Sequence, residues 1–359
     1  MIDQHYMQIA LDLARKGIGK TSPNPAVGCV IVSGEEVIAE GWHKRCGGPH
    51  AERFALRQAG EKARGAVMYV TLEPCSHQGR TAPCVDQIIA SGIRRVVIAM
   101  KDPNPLVCGR SIRKMRWAGI DVYVGCLEKE AKEINRPFCK YITSGIPFVT
   151  VKTAQTLDGK IATVSGQSRW ISSARMRRHT HQLRNHYDAI LVGINTVLKD
   201  NPALNPTARS KPWTKIVLDS RLRIPDNAKL FRDFSMIVVT TASAGKARIA
   251  RLRKRGVDVL VCPARRGHIS WKTLLKEFGK RGVTNILIEG GAKTIGHALK
   301  ERCVDRMVTV ISPKIIGDQS ALSAVDGLKT RNVNTAVRLE VDRLQQVGSD
   351  WIFEGRVKY

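Results

Sequence analysis

The sequence is poor in aromatics, in acidic residues and in long apolar runs. Phe, Trp and Tyr together make up 5% of its 359 residues, which leaves little material for a base-stacking platform along single-stranded nucleic acid. No apolar run approaches twenty residues, and no basic segment leads into an apolar one at the start. Neither a membrane span nor a secretory signal is therefore apparent. There is no internal repeat and no low-complexity tract. Cysteine is present nine times, an odd number without framework spacing, so a disulfide scaffold is not expected and a reducing cytoplasm is.

What remains is ordinary globular material with one unusual property. An apolar content of 43% supports normal burial, and the length points to two domains. Lys and Arg exceed Asp and Glu by 59 to 31, a formal charge of +28. Residues 1–145 contribute 21 minus 14, or +7, and residues 146–359 contribute 38 minus 17, or +21. A field of that sign attracts phosphate, on nucleic acid or on a small ligand.

Two short motifs between His50 and Cys84 carry the chemistry. The first is Pro49-His50-Ala51-Glu52; the second runs from Glu73-Pro74-Cys75 through His77, Gly79, Arg80 and Thr81 to Pro83-Cys84. One imidazole and two thiolates, His50, Cys75 and Cys84, make a three-ligand zinc site with the fourth position free for water. Glu52, two residues past the histidine, faces that position without ligating and is suited to moving a proton from water to a leaving amine. This is the pattern of zinc nucleobase deaminases, although eight residues rather than two separate the cysteines. Buried thiols or a disulfide, with His50 merely opening a helix, is the plainer alternative.

The surrounding pattern alternates. Residues 3–17 form an amphipathic helix, Val27–Val32 and Val37–Trp42 a hairpin, and His50 opens the next helix. Strand Val67–Leu72 delivers Cys75, and Cys84 opens helix 85–91, whose positive end favours a thiolate. Strand 95–100, helix 111–118 and strand 121–124 complete a three-layer α/β sandwich. Glu128–Tyr141 reads as one connecting helix, and the pattern restarts near Gly145-Ile146-Pro147.

The second half alternates again. Helices are expected at about 173–187, 245–255, 271–280 and 293–301, with strands at 148–154, 189–192, 215–218, 236–240, 257–261, 285–288 and 306–312 and a β-rich tail. Glu289-Gly290-Gly291 joins a strand to a helix, where backbone amides can approach a pyrophosphate, but the full dinucleotide fingerprint is absent. Thr156-Leu157-Asp158-Gly159-Lys160 is an unremarkable turn taken alone. Arg175, Arg177, Arg178 and Arg184 share a helix but not one stripe.

Taken together, Asn24-Pro25-x-Val27-Gly28, His50-Ala51-Glu52, Thr71 to His77, Gly79-Arg80-Thr81-x-Pro83-Cys84 and Asp102-Pro103-Asn104-Pro105 resemble the bifunctional deaminase/reductase family of riboflavin biosynthesis. Leu157-Asp158-Gly159-Lys160, Ser168-x-Trp170-Ile171, Asp200-Asn201-Pro202-x-Leu204 and Glu289-Gly290-Gly291 extend the likeness over nearly the whole chain. The resemblance implies a cytidine-deaminase-like domain over 1–145 and a dihydrofolate-reductase-like domain over 146–359. It implies zinc and NADPH as cofactors, and a phosphorylated pyrimidine that is first deaminated and then reduced from ribosyl to ribityl.

Carried over by position, Asn24 meets the pyrimidine. Ala154, Trp170, Thr196 and Asp200 lie against NADPH, with Gly290 and Gly291 at its pyrophosphate. Ser168, Arg184, Leu204 and Glu289 contact the substrate. Lys152 either polarises the reacting carbon or is an exposed strand lysine. Where the family has a phosphate-holding arginine this chain has Thr207, and Arg209 is the nearest candidate for that role. A homo-oligomer without specific nucleic acid or membrane partners is expected. The competing readings are a deaminase acting on tRNA or single strands, and a non-catalytic RNA-binding scaffold.

Overall fold

A computed structural model describes residues 2–76, 83–208, 213–232, 235–265 and 268–359. The chain divides into two compact units, Met1–Gly145 and Ile146–Tyr359. In unit 1, α1 (Ile2–Arg15) precedes the hairpin β1 (Gly28–Ser33) and β2 (Glu36–Trp42). Then come α2 (Ala51–Ala59), β3 (Val67–Leu72), α3 (Cys84–Ala90), β4 (Arg95–Met100), α4 (Arg110–Trp117), β5 (Asp121–Val124), α5 (Glu128–Ile134) and α6 (Arg136–Ser144). The sheet order is β2-β1-β3-β4-β5. β1 is antiparallel to both neighbours, while β3, β4 and β5 run parallel.

Two glycines let helices lie directly on opposite faces of the hairpin. A Cβ at Gly28 would sit 1.9 Å from the Ala10 carbonyl oxygen of α1, and one at Gly41 would sit 2.2 Å from that of Ala51 in α2. The second approach matters for chemistry, because Ala51 separates His50 from Glu52. Fully buried Met7, Leu11, Ile31, Met68 and Ile98 fill the core between these layers. Each such side chain contributes roughly 1.5–3 kcal/mol of burial.

The single connecting helix expected over 128–141 is two helices. Pro137 has no N–H to continue the ladder. Asn135, at the junction, turns inward, accepting from Ala26 N at 2.8 Å and donating to Ala26 O at 3.0 Å. The break thus clamps the segment that carries Asn24.

Unit 2 begins with β6 (Phe148–Thr156), β7 (Lys160–Ala162), α7 (Ala174–Leu183), β8 (Ala189–Gly193), α8 (Ile194–Asp200), β9 (Thr214–Leu218), β10 (Ser235–Thr240), α9 (Lys246–Lys254) and β11 (Asp258–Val261). It continues through the short β12 (Ala264–Arg265) and β13 (His268–Ile269), α10 (Trp271–Lys280), β14 (Asn285–Glu289), α11 (Ala292–Lys300), β15 (Arg306–Ser312), β16 (Leu322–Ser323), β17 (Arg338–Val347) and β18 (Asp350–Lys358). The main sheet has the order β11-β10-β9-β8-β14-β6-β15-β18-β17. All its pairings are parallel except those of β18 with β15 and β17.

Both faces of this sheet are covered. Ala189 and Leu191 of β8 enter one core while Ile190 and Val192 enter the other, as alternation along a strand requires. A parallel strand buried on two sides reads as a continuous apolar run. Two helices differ from expectation. α7 stops at Leu183 and tightens into a single turn over 184–186, and α8 is an additional helix of 7 residues. No helix among the described residues is long and apolar enough to cross a membrane.

Candidate active sites

His50 is the N-cap of α2, and Glu52 lies in that helix's first turn. Cys75 follows β3, and Cys84 begins α3. The chain therefore brings three donors from separate elements to one point. His50 Nδ1 is 3.2 Å from Cys84 Sγ and 3.6 Å from Cys75 Sγ, and the donor atoms all lie within 4.8 Å of one another. The amide of Cys84 also donates to Cys75 Sγ at 3.3 Å. Hydrogen bonding from Cys84, reinforced by His50, draws the Cys75 thiol down to about 4 against its burial. The Cys84 thiol is pushed up by Cys75 and by burial, and the bond to Cys75 raises His50.

Two thiols and an imidazole this close suit a thiophilic cation of small radius, and the donor set fits zinc. Glu52 is 3% exposed. Burial pushes its carboxyl upward, partly opposed by His50. His50, Glu52 and Cys75 line a cavity of about 510 Å³ together with Asn24, His43, Asp102 and Asn104.

His43 is a site residue that the sequence did not reveal. It is buried, and burial lowers its pKa, so the ring is neutral. Its Nδ1 lies 3.0 Å from the Pro49 carbonyl oxygen and its Nε2 lies 3.3 Å from Asn24 Nδ2. Nδ1 carries the ring proton and donates to the carbonyl, leaving Nε2 to accept from Asn24 and fix its amide. Glu73 is also buried. Its carboxylate accepts from Ser111 Oγ at 2.7 Å, Gly109 N at 2.9 Å and Asp102 N at 3.3 Å, tying down one cavity wall. His77, Gly79, Arg80 and Thr81 of the second motif lie outside the described residues.

In unit 2, β14 lies between β8 and β6, so the chain reverses direction across the sheet there. Crevices form beyond the carboxyl ends of strands at such switch points. A cleft of about 770 Å³ opens at this place, lined by Ala154, Ser168, Arg184, Thr196, Asp200, Leu204, Glu289, Gly290 and Gly291 among others. Gly290 and Gly291 have φ of +79° and +82° and lead into α11. A Cβ at Gly291 would lie 3.2 Å from Thr294 Oγ1, and one at Gly193 would lie 2.4 Å from the same atom. This side-chain-free cradle at a helix N-terminus fits a pyrophosphate.

Arg184 closes one end of the cleft. Its Nε and Nη2 each donate to Glu289 at 2.9 Å, and Nη1 donates to the Asn205 carbonyl at 3.1 Å. Burial works against ionisation of Glu289, but Arg184 prevails and holds it at about 2. Lys152, opposite Glu289 in the parallel register, is part-buried rather than exposed, and burial lowers its pKa.

Trp170 is not among the residues lining the cleft; it lies under Arg177, whose guanidinium carbon is 4.0 Å from the ring centroid. Thr207 accepts from Asn185 Nδ2 at 2.6 Å. Arg209 lies outside the described residues. Asp158, in the turn that looked unremarkable, accepts from Gly317 N at 2.8 Å and pins the loop after β15.

Unit 1 thus has the equipment of a zinc-dependent hydrolytic deaminase, and unit 2 a cleft shaped for a nucleotide cofactor. Comparison with known proteins is specific. Residues 1–100 match the cytidine and deoxycytidylate deaminase zinc-binding region, and residues 147–353 the RibD C-terminal domain. Riboflavin biosynthesis protein RibD of Aquifex aeolicus is 44% identical over 98% of this chain and 97% of its own; that of Escherichia coli is 39% identical, covering 98% of each.

A solved structure of Acinetobacter baumannii RibD superposes with a TM-score of 0.89 at 35% identity, covering 100% and 99% of the two chains. A Thermotoga maritima diaminohydroxyphosphoribosylaminopyrimidine deaminase/5-amino-6-(5-phosphoribosylamino)uracil reductase gives 0.87 at 36%, covering 99% of each. The chain belongs to the RibD family, the bifunctional deaminase/reductases of riboflavin biosynthesis.

Proposed function

We propose that unit 1 deaminates 2,5-diamino-6-(5-phosphoribosylamino)pyrimidin-4(3H)-one. Unit 2 then reduces the ribosyl group of the resulting 5-amino-6-(5-phosphoribosylamino)uracil to ribityl with NADPH. The observation that carries this reading is the clustering of the His50, Cys75 and Cys84 donor atoms at one cavity, which His50, Cys75, Glu52 and Asn24 line.

His50, Cys75 and Cys84 would hold zinc, which would supply the Lewis acidity that makes water nucleophilic near neutral pH. Glu52 takes a proton from the attacking water and returns it to the exocyclic amino nitrogen, whose bond to the ring carbon breaks to release ammonia. Asn24, oriented by His43, binds the pyrimidine edge. In unit 2, Gly290 and Gly291 receive the cofactor pyrophosphate, and Ala154, Thr196 and Asp200 flank NADPH, which supplies the reducing equivalent. Ser168, Arg184, Leu204 and Glu289 contact the phosphorylated substrate, and Arg209 takes the place of the arginine that Thr207 replaces. Lys152 lines the same cleft, where it polarises the reacting carbon of the sugar.

The thiols, none paired among the described residues, support a reducing cytoplasmic setting, and a homo-oligomer is the proposed assembly. A mass-spectrometric time course on the diamino substrate, with zinc-loaded protein, tests the reading. Ammonia release without NADPH, and reduction only after its addition, is the expected result. No turnover of this compound, with turnover of a tRNA, would replace it with the nucleic-acid deaminase.

A further inference from the structure

A second cleft in unit 1 has no part in the chemistry above. It lies beside α4 and the carboxyl end of β5, has a volume of about 680 Å³, and is lined by Lys101, Arg113, Arg116, Tyr123 and Glu128 among others. Three cations thus meet one acid, and that acid is already engaged, since Glu128 pairs with Lys132 at 2.8 Å. Arg116 spends one nitrogen on the Val122 carbonyl at 2.9 Å. Lys101 and Arg113 make no ion pair among the described residues, and both are exposed. Tyr123 is 50% exposed in a sheet-edge strand. Uncompensated cations beside an open aromatic ring select an anion carrying a planar group, and the volume suits a small molecule.

The position of the cleft adds a consequence for catalysis. The segment from Lys101 to Ser111 gives Lys101 and Gly109 to this cleft, and Asp102 and Asn104 to the deaminase cavity. The Glu73 carboxylate, itself in the cavity wall, holds this segment at Asp102, Gly109 and Ser111. A ligand that moves Gly109 therefore pulls on the bonds that fix Asp102.

We propose that this cleft is an effector site for a nucleoside monophosphate. The phosphate lies on Lys101 and Arg113 and the base against Tyr123, and occupancy alters substrate affinity in the neighbouring deaminase cavity. The coupling, though not the binding, rests on the deaminase reading of that cavity.

Equilibrium dialysis of the zinc-loaded full chain against labelled adenosine 5′-monophosphate tests the binding, with NADP+ saturating the cleft of unit 2. One saturable site is expected. The double variant Lys101→Glu/Arg113→Glu should weaken it about tenfold or more, as expected for lost charge-assisted bonds. Tyr123→Ala should weaken the nucleotide but not inorganic phosphate. Zinc content and basal deamination should match the wild type in each variant, which separates loss of the site from misfolding.

Wild-type deaminase assays should show a KM that shifts to a plateau with added nucleotide, unlike the unlimited rise of competition. The plateau should vanish in the double variant. No saturable binding, or binding indifferent to the charge reversals, overturns the site. Binding with an unchanged KM overturns the coupling.

Discussion

Replacing Glu289 by Gln removes a charge while preserving shape, and the structure fixes what it should cost. Glu289 and Arg184 are 14% and 11% exposed at their side chains and joined by two bonds of 2.9 Å. Burial raises the carboxyl's pKa and Arg184 lowers it further, so it titrates at about 2 rather than the ordinary 4.5. That difference corresponds to about 3 kcal/mol of preference for the ionised, paired state. In the variant the buried guanidinium loses its partner, a change that typically costs ~3–5 kcal/mol. For a unit of this size, the melting temperature should fall by about 10 °C.

The sign with pH follows from linkage. Between about 2 and 4.5 the unfolded chain binds the proton and the folded chain does not, so stability from this pair rises with pH across that window. It is complete above the window and lost below it. Scanning calorimetry at pH 7 should therefore show the full gap between wild type and Glu289→Gln, narrowing as pH falls from 5 towards 3. Two units give more than one transition, and the one that moves upward with NADPH belongs to unit 2. A shift below about 2 °C at pH 7, beneath what even 1 kcal/mol would give, or a gap that does not narrow in acid, would refute the argument.

Two further variants separate the active sites. Glu52→Gln should slow ammonia release about 10²–10⁴-fold, while metal analysis still finds zinc on the chain and reduction of the preformed uracil continues. Retention of more than a tenth of the deaminase rate would show that another group moves the proton. Gly291→Ala imposes a side chain where φ is +82° and Thr294 Oγ1 is 3.2 Å from the new Cβ. The KM for NADPH should rise about tenfold, in line with ~1–3 kcal/mol for such backbone strain, with deamination unchanged; an unaltered KM would place the pyrophosphate elsewhere.

Most of the α/β alternation was legible because buried parallel strands announce themselves as apolar runs. Val67–Leu72, Arg95–Met100 and Arg306–Ser312 are found where the pattern put them. The zinc donors were legible for a different reason. His50, Cys75 and Cys84 bracket strand and helix ends, and few other uses require that set there. α8 was missed because its 7 residues are too few for a helical period to stand out, and its N-cap is Gly193 rather than a Ser, Thr, Asp or Asn.

The less legible features share one physical cause, which is that their meaning lies in a partner distant in sequence. Asn135 reads as a mid-helix polar residue until Ala26, 109 positions away, supplies both of its bonds. A lone His43 in a glycine-rich loop says nothing until Asn24 and Pro49 fix its tautomer. Asp158 looks like any turn aspartate, yet it accepts from Gly317 N, 159 residues on. In each case a local residue type is compatible with many environments, and only closure of the fold selects one. The same reasoning applies to Lys152. Its strand position allowed either a solvent-facing or a cleft-facing side chain, and in the fold it is part-buried and lines the cleft with Arg184 and Glu289. Burial penalises its ionised form, partly offset by the Glu289 carboxylate.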